Sequence, residues 1–172
     1  MFIAHLPSGY ILASLLLKRA GQLPVQARTL MLAGILGAVA PDFDMLYFYL
    51  VDNRQTHHHR YFVHWPILWF GLALACTIWQ RLAPASRRAP AALVFSLGGI
   101  LHLLLDSFVG DIWWLAPFHD QPFALFSVPA VFKPWWLNFI LHWSFAVELA
   151  IWLWALLIYR RRISSLAYGN RG

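Results

Sequence analysis

The chain has 172 residues, 60% hydrophobic and only 12% charged, with a formal net charge of +6 and a mean hydropathy of +0.59. Soluble domains carry roughly twice that charged fraction, and a core of this size cannot hide so much apolar surface, so the composition excludes an ordinary soluble domain and points to a bilayer. The basic residues fall in short clusters between apolar runs (Lys18-Arg19, Arg87-Arg88, Arg160-Arg161-Arg162) rather than in a stripe, which argues for membrane lipids as partners and against nucleic acid.

The expected fold is all-α: one integral-membrane domain over residues 1–172, a polytopic bundle of five membrane-embedded helices. They are read over 2–17, 29–51 (broken at Pro41), 62–79, 89–108 and 137–159. Most approach the ~20 residues that cross a bilayer core, and the first is short. Pro41 lacks an N–H and crowds the preceding turn, so the second helix should end near Ala40. The stretch 110–136, rich in proline and aromatic residues, reads as an interfacial loop. Several of the ten tryptophans (Trp65, Trp79, Trp113, Trp114, Trp135, Trp136) fall near the ends of apolar runs, as in an interfacial aromatic belt. The single Cys76 excludes an intrachain disulfide. No basic segment precedes the first apolar run, so no cleavable signal peptide is expected.

Lysine and arginine set the orientation. Lys18, Arg19 and Arg28 lie between the first two helices, Arg81, Arg87 and Arg88 between the third and fourth, and Arg160–Arg162 after the fifth. That side is expected to be cytoplasmic, which puts the N-terminus outside and the C-terminus inside an inner membrane. Counted from those anchors, His5, Asp42, His64, His102, Asp106 and His142 all stand ~20–27 Å up their helices, in a core ~30 Å thick. Alternate helices run in opposite directions, yet each places a histidine or aspartate in the same outer layer.

Ionisable groups inside a membrane face the bundle interior with a partner, and a divalent cation removes the repulsion among several carboxylates. His102 and Asp106 share one helix face at i,i+4. Asp42 and Asp44 follow Pro41, His59 and His64 flank Arg60, and His5 sits early in the first helix. The candidate ligands are therefore His5, Asp42, His59, His64, His102 and Asp106. Asp44 and Arg60 are the candidate catalytic residues, Arg60 as a clamp for phosphate or carboxylate. A mixed histidine and carboxylate set suits zinc first, with manganese or iron as alternatives.

Plainer roles stand beside each. Asp42 or Asp44 could cap the helix starting near Met45, and His102–Asp106 could be a simple interhelical pair. His57, His58, His119 and Asp120 read as solvated loop residues, and His142 as an interfacial anchor. Glu148 reads as a supporting carboxylate or a structural partner.

The order of these motifs carries a resemblance. An early histidine, "PDFD", "HR" with a second histidine five residues on, then "HLLLD" followed by glycine and "PF" resembles the YdjM-type family of membrane-bound, metal-dependent hydrolases, from His5 to Phe118. The family motif resembles H-R-G-x-T-H-S. Here "HRYFVHW" keeps His59, Arg60 and His64 and has Tyr61, Val63 and Trp65 at the other positions. The family's helical, His/Asp-ligated plan is similar to that of zinc-dependent phospholipases C, and the resemblance implies hydrolysis. With the aromatic loop at headgroup level, a phosphoester or lipid-like substrate is expected. No G-x-S-x-G segment suggests a serine nucleophile. Two other classes compete: a membrane cytochrome using the same histidines, which would gain little from three aspartates, and an ion or metal transporter, whose site would sit near the midplane rather than in one outer layer.

Overall fold

The computed structural model of the chain describes residues 1, 3–19 and 25–169, and these are helical or irregular apart from one isolated antiparallel bridge between Ile112 and Phe123. Among the described residues the helices are α1 (His5–Arg19), α2 (Ala27–Val39), α3 (Asp44–Leu50), α4 (Pro66–Leu82), α5 (Ala89–Val109), α6 (Trp136–Ile140) and α7 (Ser144–Gly169). Short 3-10 turns cover Pro41–Phe43, His58–Arg60 and Phe62–His64. Phe2, the expected start of the first helix, lies outside the described residues.

The fold of the described residues is all-α, as the long apolar runs imply. Among the described residues, only α5 is long and apolar enough by itself to cross a membrane. The α2 helix and the Pro41–Leu50 segment pass that test together, bent by 54° at Pro41, and α4 is a shorter apolar helix. Length and composition thus single out one or two spans rather than five. The α1 helix has 15 residues, ~23 Å by helical rise, and α7 carries Glu148 and Arg160–Arg162.

Glycine sets the spacing of the bundle. The α2 helix packs against α1 and α5, α4 packs on α5, and α7 on α1. A Cβ added at Gly98 would lie 2.7 Å from the backbone nitrogen of Ala38, and one at Gly37 would lie 2.0 Å from the carbonyl oxygen of Phe95. Backbone therefore meets backbone where α2 crosses α5, the close approach that small residues allow between membrane helices. Leu30, Met31, Val94 and Ala13 fill the layer on one side of that crossing, and Trp69, Leu103 and Ile112 form a second cluster. Outward faces are apolar too: Leu32, Leu36, Phe70, Leu74, Leu153 and Leu157 are all exposed. So much apolar surface turned outward suits lipid better than water.

The largest departures from the expected helix bounds fall in the third and fifth apolar runs. The third apolar helix begins at Pro66, not at residue 62. Trp65, ahead of the proline ring, is extended at φ −80° and ψ 123°, because the ring disfavours helical geometry in the residue before it. Trp69 then donates its indole N–H to the Val63 carbonyl at 2.7 Å, holding the 62–64 turn against α4. The last apolar run is broken into α6 and α7 around Leu141–Trp143, and α7 continues to Gly169. Buried Asn138 shapes the approach: its amide oxygen accepts from the backbone N–H groups of Val131 and Phe132, and its amide nitrogen donates to the carbonyls of Phe132 and Trp135.

Candidate metal centre

The α2–α5 crossing aims one face of α5 at the bend in α2. Gly98, His102 and Asp106 recur every four residues, so they share that face. Gly98 makes the close approach, and one turn on His102 Nδ1 lies 2.8 Å from the Ala38 carbonyl. The carbonyl can only accept, so Nδ1 carries a proton, which leaves Nε2 as the atom that would ligate a metal when the ring is neutral. One further turn brings Asp106, only 3% exposed.

Three imidazoles converge on the Asp106 carboxylate. One oxygen lies 2.9 Å from His102 Nε2 and 3.4 Å from His59 Nε2; the other lies 3.0 Å from His5 Nε2. The amino group of Met1 also contacts this carboxylate. His5 stacks on His102 with ring centroids 3.8 Å apart. His59 repeats the arrangement of His102, its Nδ1 lying 2.8 Å from the Asp111 carbonyl. Gly110 leaves it room, since a Cβ there would come within 3.2 Å of the His59 ring. Burial, the largest influence, holds the His59 pKa well below its ordinary value, which keeps the ring in the neutral form that ligates metals.

His64 completes the set from the turn before α4. It is fully buried; its Nδ1 lies 2.7 Å from an Asp44 carboxylate oxygen, and its Nε2 has no hydrogen-bond partner among the described residues. Asp42 lies opposite, one oxygen 3.6 Å from His102 Nε2. One ligand atom from each of Asp42, His64, His102 and Asp106 falls in a group whose members lie within 4.8 Å of one another. A second such group comprises His58, His59 and His64. Two imidazoles and two carboxylates are a donor set suited to zinc, manganese or iron. A buried imidazole nitrogen with no other partner is what such a site leaves behind, so the residues fit a divalent cation.

The sequence-derived candidates divide as follows. His5, Asp42, His59, His64, His102 and Asp106 are brought together. Asp44 is buried against His64 and His58, and no side-chain cap is formed at the start of α3. Arg60 turns to the outer loop: its guanidinium donates to Asp120 at 2.6 Å and lies 5.4 Å from the Trp113 ring centre. Asp120 also accepts from the Trp113 indole at 2.7 Å. His142 lies outside the cluster and accepts from the backbone N–H of Ser144 at the start of α7. Glu148 is buried and accepts from the backbone N–H of Ile3, while Trp152 donates to the Ile3 carbonyl at 3.0 Å. The α7 helix thereby ties down the segment that precedes His5.

His58 departs from the solvated-loop reading. The 3-10 turn at His58–Arg60 folds it back, so its Nδ1 is buried and lies 3.7 Å from Asp44. His57 remains exposed. The one available signal was adjacency: a turn that points His59 inward brings a neighbouring ring with it.

A cavity of about 500 Å³ opens onto the cluster. Asp42, His57, His58, His59, Asp106 and Asp111 line its polar part, and Met45, Val109, Phe126, Val128, Trp135 and Phe139 its apolar part. Arg60 is not among the lining residues.

The family model described as YdjM inner membrane protein matches residues 1–168, and the chain belongs to that family. The match extends past Phe118, where the motif resemblance ends, and takes in most of α7. No curated protein and no solved structure matches the chain.

Proposed function

We propose that this YdjM-family inner membrane protein is a metal-dependent hydrolase whose site lies near the outer face of the membrane. The observation that carries the reading is the convergence of His59 Nε2 and His102 Nε2 on one oxygen of Asp106, each ring held from behind by a backbone carbonyl. Hydrogen bonds to the far ring nitrogen fix tautomer and orientation in metal-binding histidines.

Asp42, His64, His102 and Asp106 would hold the ion, with His5 and His59 beside it. Zinc is the first choice, with manganese and iron as alternatives. When bound, such an ion lowers the pKa of a coordinated water and polarises the scissile group. Asp44 fixes the His64 ring so that Nε2 faces the site. Arg60, beside His59, clamps an anionic substrate group by exchanging its exposed partner Asp120. The polar and apolar parts of the cavity suit an amphipathic molecule, so a phosphoester of lipid-like character is the proposed substrate. Five helices (α1, α2 with α3, α4, α5 and α7) are embedded in the bilayer. The Lys18, Arg87–Arg88 and Arg160–Arg162 end is cytoplasmic, with N-terminus out and C-terminus in.

The test is hydrolysis by detergent-purified protein of a panel of lipid phosphoesters, carboxyl esters and amides. Activity is expected on a phosphoester, with loss on chelation and recovery on adding zinc, manganese or iron. Fully metallated protein that stays inert across the panel would overturn the reading in favour of metal binding or transport.

A further inference from the structure

The centre gathers more donor groups than one ion can use. Asp42, His58, His59, His64, His102 and Asp106 make six, drawn from two overlapping groups. A zinc ion takes about four ligands in a closed site, and about three from the protein in a catalytic one. We propose that the centre binds two divalent ions, with the Asp106 carboxylate between them. The proposal rests on the metal-dependent reading above and gives His64 to the second ion rather than the first.

Lone pairs decide the partition. A ring nitrogen has one, so it serves one ion. His64 Nε2 is the shared atom: His64 belongs both with Asp42, His102 and Asp106 and with His58 and His59. Without it the first group keeps a histidine and two carboxylates, whereas the second keeps only two rings. Asp42, His102 and Asp106 therefore take one ion, and His58, His59 and His64 the other. Asp106 stands at the junction, with one oxygen 2.9 Å from His102 Nε2 and 3.4 Å from His59 Nε2.

Unpaired atoms mark the second position. His64 is fully buried, and its Nε2 has no hydrogen-bond partner among the described residues. The same holds for His58 Nδ1 and for Asp44 Oδ1, which are buried and face each other at 3.7 Å. That separation is too long for a hydrogen bond. Buried polar atoms without partners need an explanation, and a cation beside His58 Nδ1 supplies one for ring and carboxylate together.

Charge leads to the same number. Asp42 and Asp106 of the first group and His58 and His59 of the second line the cavity of about 500 Å³, so both positions open onto it. No Lys or Arg among the described residues lines that cavity. Three carboxylates (Asp42, Asp44 and Asp106) surround the donors. One divalent ion leaves these side chains anionic in sum, which repels a phosphoester, and two make the sum cationic. Two ions facing one cavity can also clamp both the attacking and the leaving oxygen of a displacement.

The first ion has two carboxylates, and the second has neutral rings and a share in Asp106, so the first is held more tightly. The experiment titrates the full detergent-purified chain, stripped by a chelator, with zinc against a chromogenic chelator. Two steps of one ion each are expected. His58→Ala should abolish the weaker step and keep the tighter one, and His57→Ala, at the exposed neighbour, should keep both. A wild-type chain that saturates at one ion would overturn the second ion and leave the hydrolase reading standing, since that needs only one. A chain that binds none of zinc, manganese or iron would overturn both. A weaker step that survives in His58→Ala, or is lost in His57→Ala, would place the extra ion on the surface histidine run and overturn the proposal. If His58→Ala loses helical content, His58→Phe, which fills the ring's volume without a donor, takes its place under the same expectation.

Discussion

His64 Nδ1 lies 2.7 Å from an Asp44 carboxylate oxygen, with both side chains buried. Because the carboxylate accepts, the ring proton sits on Nδ1 and the lone pair of Nε2 points into the cluster. Asp44→Asn keeps the shape and removes the charge. Supporting carboxylates of this kind are worth ~10–100-fold in metal affinity, so a loss of that size is expected while the helical fold is retained. Competition titration with a chromogenic chelator measures it, and unchanged affinity would return Asp44 to a purely structural role.

His57 and His58 are neighbours in sequence but not in environment. His57 is exposed, whereas His58 Nδ1 is buried 3.7 Å from Asp44. His57→Ala should leave metal content and affinity unchanged. His58→Ala should weaken retention, since it removes a member of the His58, His59, His64 group. Equal behaviour of the two variants would place His58 back in the solvent-facing loop.

Arg60 and Asp120 form an exposed pair, their side chains 47% and 69% exposed. Such a pair contributes ~0–1 kcal/mol to stability, so neither Arg60→Ala nor Asp120→Ala should shift unfolding by much. A substrate clamp requires the two variants to differ in activity: Arg60→Ala lowers it with metal content intact, and Asp120→Ala preserves it. Matching losses would mean that Arg60 serves only to tie the outer loop to the turn carrying His59.

Acid should remove the metal, and the sign follows from His59. Its pKa is depressed, chiefly by burial, so the ring is neutral at pH 7 and needs no deprotonation to ligate. Retention should therefore hold through the ordinary histidine value of ~6.5 and fall only well below it, where the buried ring itself takes up a proton. Fold stability should begin to fall sooner, below ~6.5. In that range the unfolded chain binds protons that the buried ring refuses, so stability present above ~6.5 is lost as pH falls. A pH series of metal content and urea midpoint checks both; retention that weakens instead between pH 7 and 9 would contradict the assignment.

Much of this centre was legible in the sequence, because local rules governed it. The i,i+4 spacing put His102 and Asp106 on one face of α5, and Pro41 ended α2 where a proline must. The start of α4 was also readable, since Trp65 precedes Pro66, yet the apolar run obscured it. What the sequence withheld depends on chain reversal. Asp44 meets His64 across twenty residues, and His58 turns inward only because the 3-10 turn at His58–Arg60 packs over Asp44. Glu148 was counted by depth along its helix, but its partner, the backbone of Ile3, comes from the opposite end of the chain. No periodicity announces such a contact. The seating of the segment that leads into α6 depends on Asn138, whose four backbone hydrogen bonds leave no trace in hydropathy.

The account rests most heavily on Asp106, on which His5, His59 and His102 converge. Elemental analysis of the detergent-purified chain beside Asp106→Asn and His102→Ala tests it most directly, with prior metal exchange so that nickel held by the His57–His59 run is not counted. The expected result is one or more transition-metal ions per wild-type chain, and loss of most of that metal in both variants with their helical content unchanged. Wild-type protein that holds no metal after incubation with zinc, manganese or iron, or variants that hold as much as wild type, would contradict it.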